Sequence, residues 1–260
     1  MSFLNTVPLV YGMTEGPQRE AVELQFAVPS ECARRVETGA ADLGLVPVIE
    51  VDRLGLTSVP TVGIACHGPV RSILLVSKTP FGQIRILAGD ANSRTSVELA
   101  RIILGRRYGA EPAVVPMAPD LKSMLAGADA ALLIGDSALA VDPESAGLTS
   151  LDLGGEWCEM TGLPFVFAVW AGPARKVTAD VAAVLDASCT YGLSKLDRII
   201  EEESARRPLR RSLIERYLTS HIVYRLGERE REGSELYLRY ARELDGATVA
   251  AEGLHGDSKL

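Results

Sequence analysis

Ala128-Asp129-Ala130-Ala131-Leu132-Leu133-Ile134-Gly135-Asp136 follows a helical stretch, Leu121–Leu125, that stops before Gly127, and Ala41-Asp42-Leu43-Gly44-Leu45-Val46-Pro47 follows another, Glu31–Glu37, that stops at Gly39. Each reads as helix, glycine stop, short buried strand and turn, since a brief apolar run between turn signals suits a strand covered on both faces. Two explanations stand: any helix–strand unit reads this way, or the chain holds two similar lobes facing each other. Working outward, Val-, Ile- and Leu-rich runs recur at Val22–Ala27, Leu43–Val46, Ser72–Ser77, Arg85–Ala88, Ala113–Val115, Ala130–Ile134 and Phe165–Trp170. They alternate with amphipathic stretches, which predicts an α/β fold with a parallel sheet covered by helices.

Ser30 is placed to cap the helix before Gly39, and Ser93 or Thr95 to cap Val97–Tyr108 ahead of Gly109. From about Thr178 the chain turns helical. Leu185, Tyr191, Leu193, Leu196, Ile199 and Ile200, then Leu213, Ile214, Tyr217, Leu218, Ile222, Tyr224 and Leu226, then Leu236, Tyr237 and Tyr240, are spaced as core-facing stripes. The charges from Glu201 to Arg211 read as a solvated helix end or as a partner surface, and the polar tail after about Asp245 as frayed.

The 260 residues carry 27 Lys+Arg against 34 Asp+Glu, a net charge of -7, which argues against a nucleic-acid groove or an anionic membrane surface. With 47% hydrophobic residues the chain can fill one large core or two modest lobes. Cys32, Cys66, Cys158 and Cys189 are scattered, no metal-ligand spacing occurs, and no apolar run approaches the ~20 residues of a membrane helix. These features predict a cytoplasmic protein with reduced thiols, no metal, and neither nucleic acid nor membrane as partner.

In open α/β sheets ligands bind beyond the carboxyl ends of strands, where loops enter helices. Gly89-Asp90-Ala91-Asn92-Ser93-Arg94-Thr95-Ser96 is such a junction; its hydroxyls and free N–H groups suit a carboxylate, or Ser93 and Thr95 merely cap the helix. Asn5, ahead of Pro8, can bond a substrate or cap a helix, and spacing alone favours the cap. Arg71 and Ser72 enter a strand pointing to opposite faces, so one of them can face a cleft. Ser30 and Asp136 mark two further junctions. His67, His221 and His255 assemble no Ser/His/Asp triad, and neither G-x-S-x-G nor a nucleotide-binding glycine motif is present.

Taken together, Ser2-Phe3-Leu4-Asn5-Thr6-Val7-Pro8-Leu9 with Gly12, Val28-Pro29-Ser30-Glu31-Cys32-Ala33, Asp42-Leu43-Gly44-Leu45-Val46-Pro47-Val48-Ile49-Glu50, Val70-Arg71-Ser72, Ser93-Arg94-Thr95-Ser96 and Ile134-Gly135-Asp136-Ser137-Ala138-Leu139 resemble the chorismate dehydratases, which open the futalosine route to menaquinone. The resemblance implies a two-lobed fold like the type II periplasmic binding proteins, with a ligand cleft between lobes and C-terminal helices. One lobe would combine residues 1–77 with 166–260, and 78–165 would form the other. The activity implied is that of a hydro-lyase: chorismate, a dicarboxylate, loses water to give 3-[(1-carboxyvinyl)oxy]benzoate without metal or organic cofactor. In this family the base is taken to be the substrate's own enolpyruvyl carboxylate. The resemblance makes Asn5 the catalytic positioning residue, Ser72, Thr95 and Ser96 carboxylate donors, and Ser30 and Asp136 further cleft contacts; Arg94 receives no role.

Family members usually carry an apolar strand just before the motif at Ser2, and here the chain begins at Met1. The expectation is that the true start lies upstream or that another segment fills the gap, since its neighbours would otherwise lack backbone partners. Competing assignments are the sister enzyme making 1,4-dihydroxy-6-naphthoate, a non-catalytic solute-binding or sensory protein, and a regulator's effector domain.

Overall fold

A computed structural model describes residues 3–90, 93–143 and 147–256, with side chains through 244. The chain forms α1 (Val7–Glu15), α2 (Pro29–Glu37), β1 (Gly44–Pro47), α3 (Val48–Arg53) and β2 (Thr57–Cys66). It crosses to β3 (Ile73–Ser77), β4 (Ile86–Asp90), α4 (Arg94–Ile103), β5 (Ala113–Met117), α5 (Leu121–Gly127), β6 (Ala130–Ile134), α6 (Gly135–Leu139) and β7 (Thr149–Asp152). It returns through α7 (Leu153–Thr161) to β8 (Phe165–Gly172), α8 (Ala179–Leu193), α9 (Leu196–Arg206), α10 (Arg211–Arg216), β9 (Val223–Arg225) and α11 (Glu228–Gly256).

Two sheets result, ordered β1-β8-β2-β9 and β5-β4-β6-β3-β7. Neither is the parallel sheet expected: every pair in the first is antiparallel, and in the second only β4 pairs in parallel, with β5 and β6. The second sheet takes in β3, so the change of sheet falls before Ile73, ahead of the expected break after 77. β1, β3 and β6 are buried along their whole length, as apolar runs between helices should be. One apolar cluster runs from Leu4 and Ile64 to Leu75, Leu87 and Leu132, joining the sheets.

Asp152 organises both crossings. Its carboxylate accepts from the Val70 N–H at 2.9 Å and the Arg71 N–H, and caps α7 through the Gly155 N–H at 3.1 Å. These bonds hold Arg71 at φ +67°, a left-handed conformation costing a non-glycine residue ~1–2 kcal/mol. The Arg71 guanidinium then donates to the Ala138 and Val141 carbonyls at the end of α6. α1 is seated on α8: Ser188 Oγ donates to the Leu9 carbonyl at 2.9 Å and accepts from the Met13 N–H at 3.2 Å, and a Cβ at Gly192 would run into the Pro8 carbonyl.

Several expectations are corrected. Val22–Ala27 forms no strand; only Val22, Leu24 and Ala27 are half-buried, Phe26 is 52% exposed, and a groove of about 580 Å³ lies between this segment and Ala41–Leu45. A strand needs a ladder, and among the described residues β1 pairs with β8 alone. Ile222–Leu226 carries β9 rather than a continued helix, and α11 runs on through the tail expected to fray, where Ala247, Ala250 and Ala251 favour helix. α2 starts at Pro29 with Val28 as its N-cap, so Ser30 is not the cap.

Candidate functional site

The two helix–strand–turn units meet. Pro47, ending β1, and Ile134–Gly135, ending β6, both line a cavity of about 60 Å³ together with Phe3, Asn5, Pro29, Ile64, Ser72, Ser93, Thr95, Ser96 and Phe167. Its wall is therefore drawn from both sheets, from the turn ahead of α1 and from the starts of α2 and α4, whose positive helix ends favour negative charge. None of these wall residues is ionisable.

Asn5 sits in a 3₁₀ turn, Leu4–Thr6, ahead of α1. Neither that turn nor α1 has a side-chain cap bond, so the capping role that spacing favours is not the one found. Among the described residues the Asn5 amide oxygen accepts only a long 3.4 Å bond from Thr6 Oγ1. Ser72 directly follows Arg71; with the arginine turned to α6, Ser72 is the member of the pair that reaches the cavity.

Ser93 is the cap of α4, accepting from the Ser96 N–H at 3.4 Å and donating to Ser96 Oγ at 2.8 Å. Thr95 is thus released from capping. Thr95 lines the cavity; its buried Oγ1 has no hydrogen-bond partner among the described residues, whereas its carbonyl accepts from Tyr237 Oη at 3.0 Å. Ala91 and Asn92 of the same junction lie outside the described residues.

Asn5, Ser72, Thr95 and Ser96 are thus brought around one cavity; Ser30 and Asp136 are not on its wall. Ser30 is exposed in the first turn of α2. The Asp136 carboxylate is occupied, accepting from the Leu4 N–H at 3.1 Å and from Arg207, which also bonds Glu203 at 2.6 Å. Burial raises the Asp136 carboxyl above the ordinary range, against the effect of Leu4 and Arg207. A second tie spans the sheets where Arg94 meets Glu50 at 3.3 Å.

Sequence reasoning took Tyr217 for an ordinary core residue. It is fully buried, and its hydroxyl sits beside the side chains of Ser72 and Asn5 without a bond of good geometry to either. Burial drives the phenol well above its ordinary pKa, those two contacts working the other way, so it stays protonated at neutral pH. The available signal was a phenol within the aliphatic stripe Leu213, Ile214, Leu218.

Among solved structures, protein AF1704 from Archaeoglobus fulgidus matches with a TM-score of 0.70 at 18% identity, over 94% of this chain and 95% of that one. The periplasmic aliphatic sulphonate binding protein SsuA from Escherichia coli matches with a TM-score of 0.66 at 14% identity, over 95% and 85%. At such identities these likenesses show the fold, that of the periplasmic binding proteins, and nothing of the ligand. A chorismate dehydratase from Thermus thermophilus is 30% identical over 258 residues, 90% of this chain and 91% of the relative. The sequence pattern of the menaquinone biosynthesis family matches residues 1–243, and on these two findings the chain belongs to that family.

Proposed function

We propose that the cavity is the active site of a hydro-lyase that converts chorismate to 3-[(1-carboxyvinyl)oxy]benzoate and water in menaquinone biosynthesis. The observation that carries this reading is the similarity to the Thermus chorismate dehydratase over nine tenths of both chains. The cavity chemistry supports it. Chorismate is a dicarboxylate, and the Asn5 amide, the hydroxyls of Ser72, Thr95 and Ser96 and the start of α4 offer donors to carboxylates on a wall with no ionisable side chain.

The elimination removes a proton from the ring carbon bearing the enolpyruvyl ether and hydroxide from its neighbour; together they leave as water, and the ring becomes aromatic. A wall of amide, hydroxyl and apolar groups supplies no base, since neither an amide nor a neutral hydroxyl takes a proton near neutral pH. The substrate's enolpyruvyl carboxylate fills that role, and Asn5 orients it and the departing hydroxyl by hydrogen bonds. Two lobes divided along the two sheets would open to admit the substrate and close on it, and an enzyme using a free metabolite of this kind works in the cytoplasm.

The test uses chorismate deuterated at the ring carbon bearing the ether. The reading expects a slowed chemical step in single turnover; a rate equal to that of the unlabelled substrate would oppose a route whose chemical step is removal of that proton.

A further inference from the structure

Among the described residues two buried hydroxyls here have no hydrogen-bond partner, that of Thr95, which lines the cavity, and that of Tyr217, beside the cavity residues Asn5 and Ser72. A phenol sealed from water and left unpaired costs free energy, so its presence there calls for an explanation. Its neighbours are Asn5 and Ser72, the side chains that reach the cavity from the α1 turn and the start of β3. Neither has a strong bond that fixes its rotamer: Asn5 accepts only the 3.4 Å bond from Thr6. A phenol that remains protonated can donate its single O–H to the Asn5 amide oxygen and accept, through a lone pair, from the Ser72 hydroxyl.

We propose that Tyr217 is a positioning residue for the reaction, its buried hydroxyl orienting Asn5 and Ser72 toward the substrate when the cavity is occupied. This rests on the dehydratase reading. Without ligand the three groups are near each other but poorly aligned, as hydrogen bonds of a catalytic site commonly are before substrate binds. With the substrate drawing on Asn5 and Ser72, the phenol bonds both from behind, as donor to Asn5 and acceptor from Ser72, and fixes their direction. Tyr217 itself does not line the cavity, so it acts through the other two.

Tyr217→Phe removes the hydroxyl alone and keeps the ring that packs in the core. Steady-state turnover of chorismate is compared for wild type, Tyr217→Phe, Ser72→Ala and the double variant, with thermal unfolding of each. The expected result is a kcat lowered about tenfold or more in Tyr217→Phe, roughly the loss of one well-placed hydrogen bond. KM and Tm should stay close to wild type, and the double variant should fall less than the product of the single effects. A purely structural tyrosine would shift Tm and combine multiplicatively with Ser72→Ala. Wild-type kcat in Tyr217→Phe, or multiplicative effects in the double variant, would overturn the proposal while leaving the dehydratase reading standing. No turnover by the wild type would overturn both.

Discussion

The hydroxyls at the start of α4 have opposite consequences for stability and binding. Ser93 already bonds Ser96 as the helix cap, so Ser93→Ala should lower stability by ~1 kcal/mol. Thr95 Oγ1 is buried and unbonded, so Thr95→Val should leave the ligand-free protein as stable or more so, while weakening substrate binding by ~1–3 kcal/mol. Ser72→Ala should weaken binding to a similar degree. Thermal unfolding paired with substrate titration separates these outcomes, and unchanged affinity in Thr95→Val would return that hydroxyl to a structural role. Asn5→Ala should lower kcat by about 100-fold or more, the scale for an oriented polar group, with little change in Tm; near-normal turnover would remove it from the mechanism. Thr95 and Ser96 lie at a strand-to-helix junction that the sequence marks, whereas Asn5 and Ser72 were picked out by the family resemblance, since spacing alone left Asn5 as a cap and Ser72 as one of two residues entering a strand. Ser30 and Asp136 occupy junctions too, yet Ser30 is exposed and Asp136 is taken by Leu4 and Arg207, a partner 71 residues further along the chain. Long-range pairing of that kind leaves no local trace.

Elements with one clear period were readable, and those with irregular pairing were not. β6 lies where its apolar run predicts, bounded by Gly127 and Gly135. β2 was missed because Pro60 and Gly63 interrupt it, and its register shifts twice against β8. Around β9 the buried residues Ile222, just before it, and Tyr224, within it, alternate with less buried neighbours, a two-residue period that next to Leu213–Leu218 passes for helix. Glu230 fixes the start of α11 by accepting from the Gly227 N–H at 2.7 Å and pairing with His67 at the end of β2. Burial pushes its carboxyl up, but His67 and the backbone N–H groups outweigh burial and hold it below the ordinary glutamate range. Its contribution to stability is therefore present above that range and lost as pH falls through the lowered value. Glu230→Gln should cost ~1–2 kcal/mol near neutral pH, with the gap closing in acid. Unfolding curves across pH check this, and a gap that persists in acid would assign the loss to packing.

At the scale of the molecule, the cavity between the sheets is about 60 Å³, well below the ~300 Å³ at which small-molecule pockets begin, so on the proposed reading substrate would bind there only if the two sheets separate and close again. Arg94–Glu50, Asp136–Arg207 and Tyr237–Thr95 tie the sides together around it. Their residues come from distant parts of the chain, which is why the two similar helix–strand units were enough to suggest facing lobes but too little to establish them. Saturating product at ~100 times its Kd should raise stability by ~2.7 kcal/mol, visible as a higher Tm in a thermal-shift assay; no shift would contradict a site in this cleft. The most direct measurement incubates purified protein with chorismate and follows 3-[(1-carboxyvinyl)oxy]benzoate by chromatography and mass spectrometry against an enzyme-free control for spontaneous decay. A dehydratase forms product above the control, in proportion to enzyme, and loses that activity in Asn5→Ala; chorismate bound by the folded protein and recovered unchanged would contradict this function and favour a solute-binding protein.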